Sequence, residues 1–155
     1  ISLILFCKWK FFKPTGVDLN LQFPAGWEQA RLLKFEQGFT TPAPRDFVGF
    51  GPLTEPEALA IYNFTLEHNF SLILSYHTQG EVIFWQFQNY KPQNSWFIGS
   101  TFAQISSYSL ADTPYNSSFA GFKDWFIQHY NRPGFTIEAG LRSKPFAYWT
   151  IRKDL

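Results

Sequence analysis

The stretch FSLILSYHTQG, residues 70–80, constrains the fold more than any other part of the chain. Leu72, Ile73 and Leu74 form an unbroken apolar run between polar flanks. A run of that length, rich in branched side chains and closed by a Gly-containing turn, reads as a buried strand. Its exit carries Ser75, Tyr76 and His77. The question it raises is why a buried strand should end in an imidazole.

The rest of the chain supplies neighbours for that strand. Residues 1–7, ISLILFC, read as a second strand, and KWKFFKPTG closes on a Pro-Thr-Gly turn. GVDLNLQF is short and partly alternating until Pro24-Ala25-Gly26 breaks it. Residues 38–53 hold Gly38, Pro42, Pro44, Gly49, Gly51 and Pro52, the composition of a long irregular loop. Thr54-Glu55-Pro56-Glu57 is a helix start, with Thr54 expected as N-cap, Pro56 in the first turn and two acids at the positive dipole end. Leu59, Ile61, Tyr62 and Leu66 continue it to His68-Asn69. Residues 81–87 read as extended and 98–109 as a helix. Residues 119–130 read as an amphipathic helix, with Phe119, Phe122, Phe126 and Tyr130 on one side. Arg132-Pro133-Gly134 stops it, and FTIEA follows as a strand. Helix and strand alternate, which predicts an α/β fold: a mixed, mostly parallel sheet flanked by helices.

Composition narrows the partners. Hydrophobic residues make up 45% of the 155 and charged residues 16%, a globular balance. A net charge of +1 gives no electrostatic reason to expect nucleic acid or an anionic membrane as partner. Cys7 is the single cysteine, so neither an internal disulfide nor a cysteine metal cluster can form, and it reads as a small buried residue. The apolar opening is too short to cross a bilayer, and no membrane span is expected. The chain has no Met and opens on Ile1, the expectation for a processed product or a fragment.

Ligands in open α/β sheets bind beyond the carboxyl ends of the strands. Two polar residues occupy such ends: His77, and Glu138 in FTIEAG. A carboxylate in an apolar strand is costly unless it has a partner or a task. On pattern alone each residue has two readings, a polar group satisfied within the structure or a working group. Other signals are weaker. Three glycosylation sequons begin at Asn63, Asn69 and Asn116, Ser75 and Ser106 lack a nucleophile-elbow context, and His129 sits near a helix C-terminus. Phe84 and Trp85 suit a core or the wall of a cleft.

Taken in order, five segments resemble the zinc carboxypeptidase superfamily: GVDLN with F-x-A-G-W-E at Phe23 to Glu28, PAPRDFVGFGPLTEPEA, SYHTQG, FKDWF and GFTIEAG. They run from about residue 8 to residue 140, with His77 and Glu138 61 positions apart. The nearest subgroup is the bacterial one that hydrolyses γ-D-glutamyl–diaminopimelate links in peptidoglycan peptides. The resemblance implies one zinc ion, with His77 as a ligand and Glu138 as the general base that takes a proton from water. It implies that Lys10, in Trp9-Lys10, helps hold the oxyanion, although a solvated lysine reads as well from the residues. Asn20 matches the family's substrate-carboxylate clamp, and Tyr115 lies close to the family's flexible substrate-contacting tyrosine. Carboxypeptidases proper carry an Arg after that Asn. Here Leu21 stands there, which argues against ordinary C-terminal trimming.

The family's His-x-x-Glu motif is not in the chain: neither His68, His77 nor His129 has Glu three positions later. The resemblance therefore implies that residues 1–155 are the C-terminal half of a catalytic domain. Its partners would be the missing N-terminal half, supplying two further zinc ligands, and a peptide or peptidoglycan-stem substrate. The chain by itself is expected to be inactive. The alternative is an inactive carboxypeptidase-like domain that binds peptide or cell-wall stems without cutting them; an unrelated α/β binding domain is the third reading. Location, cytoplasmic or secreted, is open on these residues.

Overall fold

The computed structural model describes residues 15–140 and the backbone of Leu3–Cys7. Five strands form one sheet in the order β1-β2-β5-β3-β4. They are β1 (Leu3–Cys7), β2 (Leu72–His77), β3 (Val82–Phe84), β4 (Ser109–Ala111) and β5 (Gly134–Glu138). β1 and β5 flank β2 in parallel, β4 runs parallel to β3, and β3 alone meets its neighbour β5 antiparallel. The sheet is therefore mixed and mostly parallel, as the alternation of helix and strand predicts. Among the described residues four α-helices accompany it: α1 (Trp27–Glu36), α2 (Pro56–Glu67), α3 (Ser95–Ser106) and α4 (Phe122–Tyr130).

Side-chain alternation along β2 and β5 divides the core. Leu74, Phe135 and Ile137 join Ile83 on one face, against Ile98, Phe102 and Ala103 of α3. Ile73 points the other way, into a cluster with Phe23, Phe70, Phe122, Trp125, Phe126 and Ile127, and Ala58, Ile61 and Tyr62 of α2 close it. Removing each such ring or branched chain from water contributes about 1.5–3 kcal/mol. Gly134 lets α4 approach the sheet, since a Cβ there would lie 3.2 Å from Ile127 and 3.3 Å from Ile73. Ser75, Thr136, His77 and Glu138 follow the same alternation onto the α4 side of the sheet.

Two buried polar centres brace the loops around this core. Gln22 is fully buried, and its amide nitrogen donates to Val48 O (2.7 Å) and Gly51 O (3.1 Å). Its Oε1 accepts from Thr54 N (2.9 Å) and Glu55 N (3.1 Å). The long loop before α2 is thus held by one side chain. Lys123 and Asp124 of α4 are 4% and 3% exposed, so their charges need partners. Lys123 Nζ lies 2.6 Å from Asp124 Oδ1 and donates to Gln86 O (2.6 Å) and Thr113 Oγ1 (3.2 Å). Asp124 Oδ2 accepts from Gly121 N (3.2 Å), which closes the start of α4.

The structure departs from the sequence-based expectations at several points. Thr54 is not a cap: Glu55 is the N-cap of α2, and the Thr54 hydroxyl donates instead to Gln22 Oε1 (3.0 Å). The helix expected over 98–109 begins at Ser95 and stops at Ser106, because Ser109–Ala111 turn into β4 beside β3. Within the partly alternating GVDLNLQF, Asp18 caps a tight 3-10 turn at Leu19–Leu21. α1 was not anticipated at all, and it carries no side-chain cap. Gly26 opens it in the left-handed region (φ 64°), and a Cβ there would strike Phe119 at 2.7 Å. The side chain of Cys7 and residues 8–14, which precede Thr15 and Gly16 of the expected Pro-Thr-Gly turn, lie outside the described residues.

Candidate active site

His77 and Glu138 are register partners at the carboxyl ends of β2 and β5. On adjacent parallel strands such partners point to the same side, about 5 Å apart at the backbone. The side chains converge further, with His77 Nδ1 3.7 Å from Glu138 Oε1. That is longer than a hydrogen bond. Behind the ring, His77 Nε2 lies 3.2 Å from Ser75 Oγ, two residues earlier on the same face. Ser75 is 1% exposed and sets the ring orientation. With Nε2 engaged there, Nδ1 faces the carboxylate. The rung is closed beyond the strands by Ala139 N donating to His77 O (2.9 Å) and Gly80 N to Gly140 O (2.9 Å). The Thr78–Gln79 peptide between them is cis.

The pair lines a cleft of about 230 Å³. Asn20 borders it from the 3-10 turn, and Asn116 and Ser117 border it from a second 3-10 turn, Tyr115–Ser117. Asp18 organises the near wall. Its Oδ1 accepts from Asn20 N (3.0 Å), its Oδ2 from Asp46 N (3.1 Å), and its own N–H donates to Phe47 O (2.8 Å). The Asn20 turn and the loop at 45–47 are therefore one unit. Asp46 is in turn clasped by two cations, Lys34 Nζ at 2.7 Å and Arg45 Nε at 3.1 Å.

Of the residues singled out from the sequence, His77, Glu138 and Asn20 come together around this cleft. Tyr115 is 57% exposed beside it, its ring edge-on to Phe119, which lines the cleft (5.1 Å). Leu21 is buried and packs with Trp27 and Val48. Lys10 lies outside the described residues. Trp85 packs against the α3-side cluster. Asp18, Asp46 and Ser75 were missed. For Asp18 the signal was there, an Asp two positions before Asn20 in a short turn, a common capping arrangement. For Ser75 it was the i, i+2 spacing to His77 along a strand, which places both on one face.

The donor set fits one zinc ligand, an imidazole with its second nitrogen held by a hydroxyl. It does not amount to a complete site: among the described residues there is no group of three or more His, Cys, Asp or Glu placed to hold a metal. Also among the described residues, no helix is long and apolar enough to cross a membrane.

The mostly parallel sheet, the His–Glu rung at its carboxyl edge and the cleft in front define a class. The chain belongs to the zinc carboxypeptidase family, whose sequence model matches residues 8–154. It is 46% identical over 131 residues to gamma-D-glutamyl-L-diamino acid endopeptidase 1 of Lysinibacillus sphaericus, a match covering 84% of this chain and 32% of that protein. Among solved structures, carboxypeptidase A of Helicoverpa armigera superposes with a TM-score of 0.65 at 23% identity, over 83% of this chain and 34% of that one. The murein-tripeptide amidase MpaA of Escherichia coli O157 superposes at 0.58 and 20% identity, over 84% and 53%. The chain spans about a third of the length of the curated relatives it matches.

Proposed function

We propose that this chain is part of a zinc peptidase that hydrolyses a γ-D-glutamyl–diaminopimelate type bond in peptidoglycan peptides. The observation that carries the reading is the shared rung of His77 and Glu138, with imidazole and carboxylate 3.7 Å apart at the mouth of a cleft. The substrate class is supported by the identity to the Lysinibacillus endopeptidase, whose name states that bond.

In this reading His77 would hold zinc through Nδ1, with two further ligands supplied by the N-terminal half of the domain. Zinc bound there would supply Lewis acidity for the scissile carbonyl and would lower the pKa of water, so that its proton can be removed near neutral pH. Glu138 accepts the proton released by the attacking water and delivers it to the departing amine, so the nitrogen leaves neutral. Ser75 keeps the imidazole in the tautomer that presents a lone pair to the cleft. Asn20, held by Asp18, donates its amide to the substrate, Tyr115 closes over it from the exposed turn, and Lys10 steadies the developing oxyanion.

The test uses the protein as encoded, at full length. A synthetic L-Ala-γ-D-Glu-diaminopimelate peptide should be cut at the γ-amide, and the activity should vanish on chelation and return with zinc. A protein that binds the peptide without cutting it under any metal supply would be an inactive relative. Cleavage unaffected by chelators would end the zinc reading.

A further inference from the structure

We infer that Arg45 is the group in this cleft that reads a substrate carboxylate next to the scissile bond. The inference rests on the substrate class proposed above. A γ-linked D-glutamyl residue keeps its α-carboxylate free on the acyl side of the amide to be cut, three carbons from its carbonyl, and diaminopimelate brings carboxylates on the leaving side. A cleft that takes such a peptide needs a fixed cation.

Among the described residues, two permanent cations line the cleft, Lys34 and Arg45. Lys34 is committed elsewhere. Its side chain is 13% exposed, and Nζ reaches Asp46 Oδ1 (2.7 Å) and Gln37 Oε1 (3.3 Å). Arg45 is placed differently. Its side chain is 66% exposed, and its contact to Asp46 Oδ2 runs through Nε (3.1 Å). A guanidinium held at Nε keeps the two terminal nitrogens of its fork available for a second planar anion. Asp46 has one oxygen on each cation, so the Lys34–Asp46–Arg45 trio carries a net positive charge, offered on the Arg45 side. The trio is also well mounted. Asp46 N is bonded to Asp18 Oδ2, the residue that caps the Asn20 turn, and Gln22 holds the next part of the loop at Val48. Arg45 is thus tied through Asp46 to the unit that carries Asn20, and both residues line the same cleft. Leu21, buried beside Asn20, offers that anion nothing.

The experiment measures kcat/KM of the full-length protein and of Arg45→Gln and Arg45→Lys on three peptides. One is L-Ala-γ-D-Glu-diaminopimelate; one has the D-glutamyl α-carboxyl as carboxamide; one has the diaminopimelate carboxyls amidated. For the parent protein one of the two amidations should lower kcat/KM by about 10- to 100-fold, the scale of a charge-assisted contact at a partly exposed site. In Arg45→Gln that penalty should collapse to near unity, and Arg45→Lys should restore part of it, having charge without the fork. The amidation that matters tells which carboxylate is read. Penalties that persist unchanged in Arg45→Gln overturn the assignment. Calorimetric binding of the same peptides to Glu138→Gln and to the Glu138→Gln, Arg45→Gln double variant separates the two proposals. Arg45-dependent preference for the carboxylate with no hydrolysis by the parent would sink the peptidase reading and keep Arg45. Hydrolysis with no such preference would do the reverse, and neither hydrolysis nor preference would remove both.

Discussion

The β2–β5 pair has polar groups at both of its ends, and the two ends treat them differently. At the amino end, Arg132 Nη1 donates to Asn69 Oδ1 (2.7 Å) and Phe70 O (2.6 Å), and the Tyr130 hydroxyl donates to Thr65 O (3.3 Å). Arg132 also lies 5.5 Å from the centre of the Tyr130 ring. These contacts tie the exit of α2 to the exit of α4, so both strands enter the sheet in step. At the carboxyl end, the rung is aimed into a cleft and its two side chains stop 3.7 Å short of one another. The difference separates a polar cluster tied within the fold from a polar pair that faces a cleft. In the first, partners sit at hydrogen-bonding distance and belong to adjoining chain segments. In the second, imidazole and carboxylate converge to 3.7 Å where they line a cleft.

If that distinction is right, damage at the two ends should separate activity from stability. The largest effect is expected from Glu138→Gln. It should lower kcat by roughly 10²–10⁴-fold, the range for loss of a general base, while thermal melting stays close to that of the parent. A variant that loses activity only in proportion to lost folded protein would place Glu138 with the structural cluster. Next comes Lys123→Met, which strands the Asp124 carboxylate beside α4. Removing one member of a buried pair costs about 3–5 kcal/mol, and denaturant titration should read a shift of that size.

Arg132→Ala should be milder, about 1–3 kcal/mol from a lost charged donor and the Phe70 carbonyl left behind. The kcat/KM per folded molecule should hold; a fall in it would show that the two ends communicate. The smallest effect is expected at Tyr130. Burial raises its pKa above 10.0, with the Arg132 charge offsetting part of the rise and Tyr62 adding to it. The folded state thus holds the phenolic proton more tightly than the unfolded one. That contribution is complete below pH 10 and is lost as the pH climbs through the folded value. Tyr130→Phe should therefore cost about 1 kcal/mol or less near neutral pH and flatten the alkaline limb of the stability curve. An alkaline limb unchanged by the substitution would assign it to other groups.

Much of the carboxyl end was legible in the sequence, and the reasons are local. Leu72-Ile73-Leu74 and Phe135-Thr136-Ile137 announce strands because branched and aromatic side chains suit a pleated, buried surface. His77 and Glu138 could be suspected because each ends such a strand. What the sequence withheld was their pairing. That pairing is a long-range register between segments 61 positions apart, and no local pattern encodes it. α1 escaped for a different reason. Its start is a left-handed Gly26 instead of a capping side chain, and Trp27 and Ala30 are its buried positions, so its apolar signal is thin. β4, three residues long, is a strand only because β3 lies next to it. The Asp18–Asp46 link joins two loops and was invisible for the same reason as the rung.

The rung has one more consequence. Because His77 and Glu138 are spaced by a sheet lattice, their separation at the backbone is a discrete quantity. It cannot drift by small steps as loops lengthen or helices tilt, for a slip of one residue would throw a side chain to the opposite face. Substitutions elsewhere in the chain are thus confined to two outcomes at this spot, leaving the spacing intact or abolishing it. Gradual adjustment is left to what lies around the rung, the loops that carry Asn20, Arg45 and Tyr115. A lineage could redraw those repeatedly, and so reshape the cleft, while the imidazole and the carboxylate stay the same distance apart.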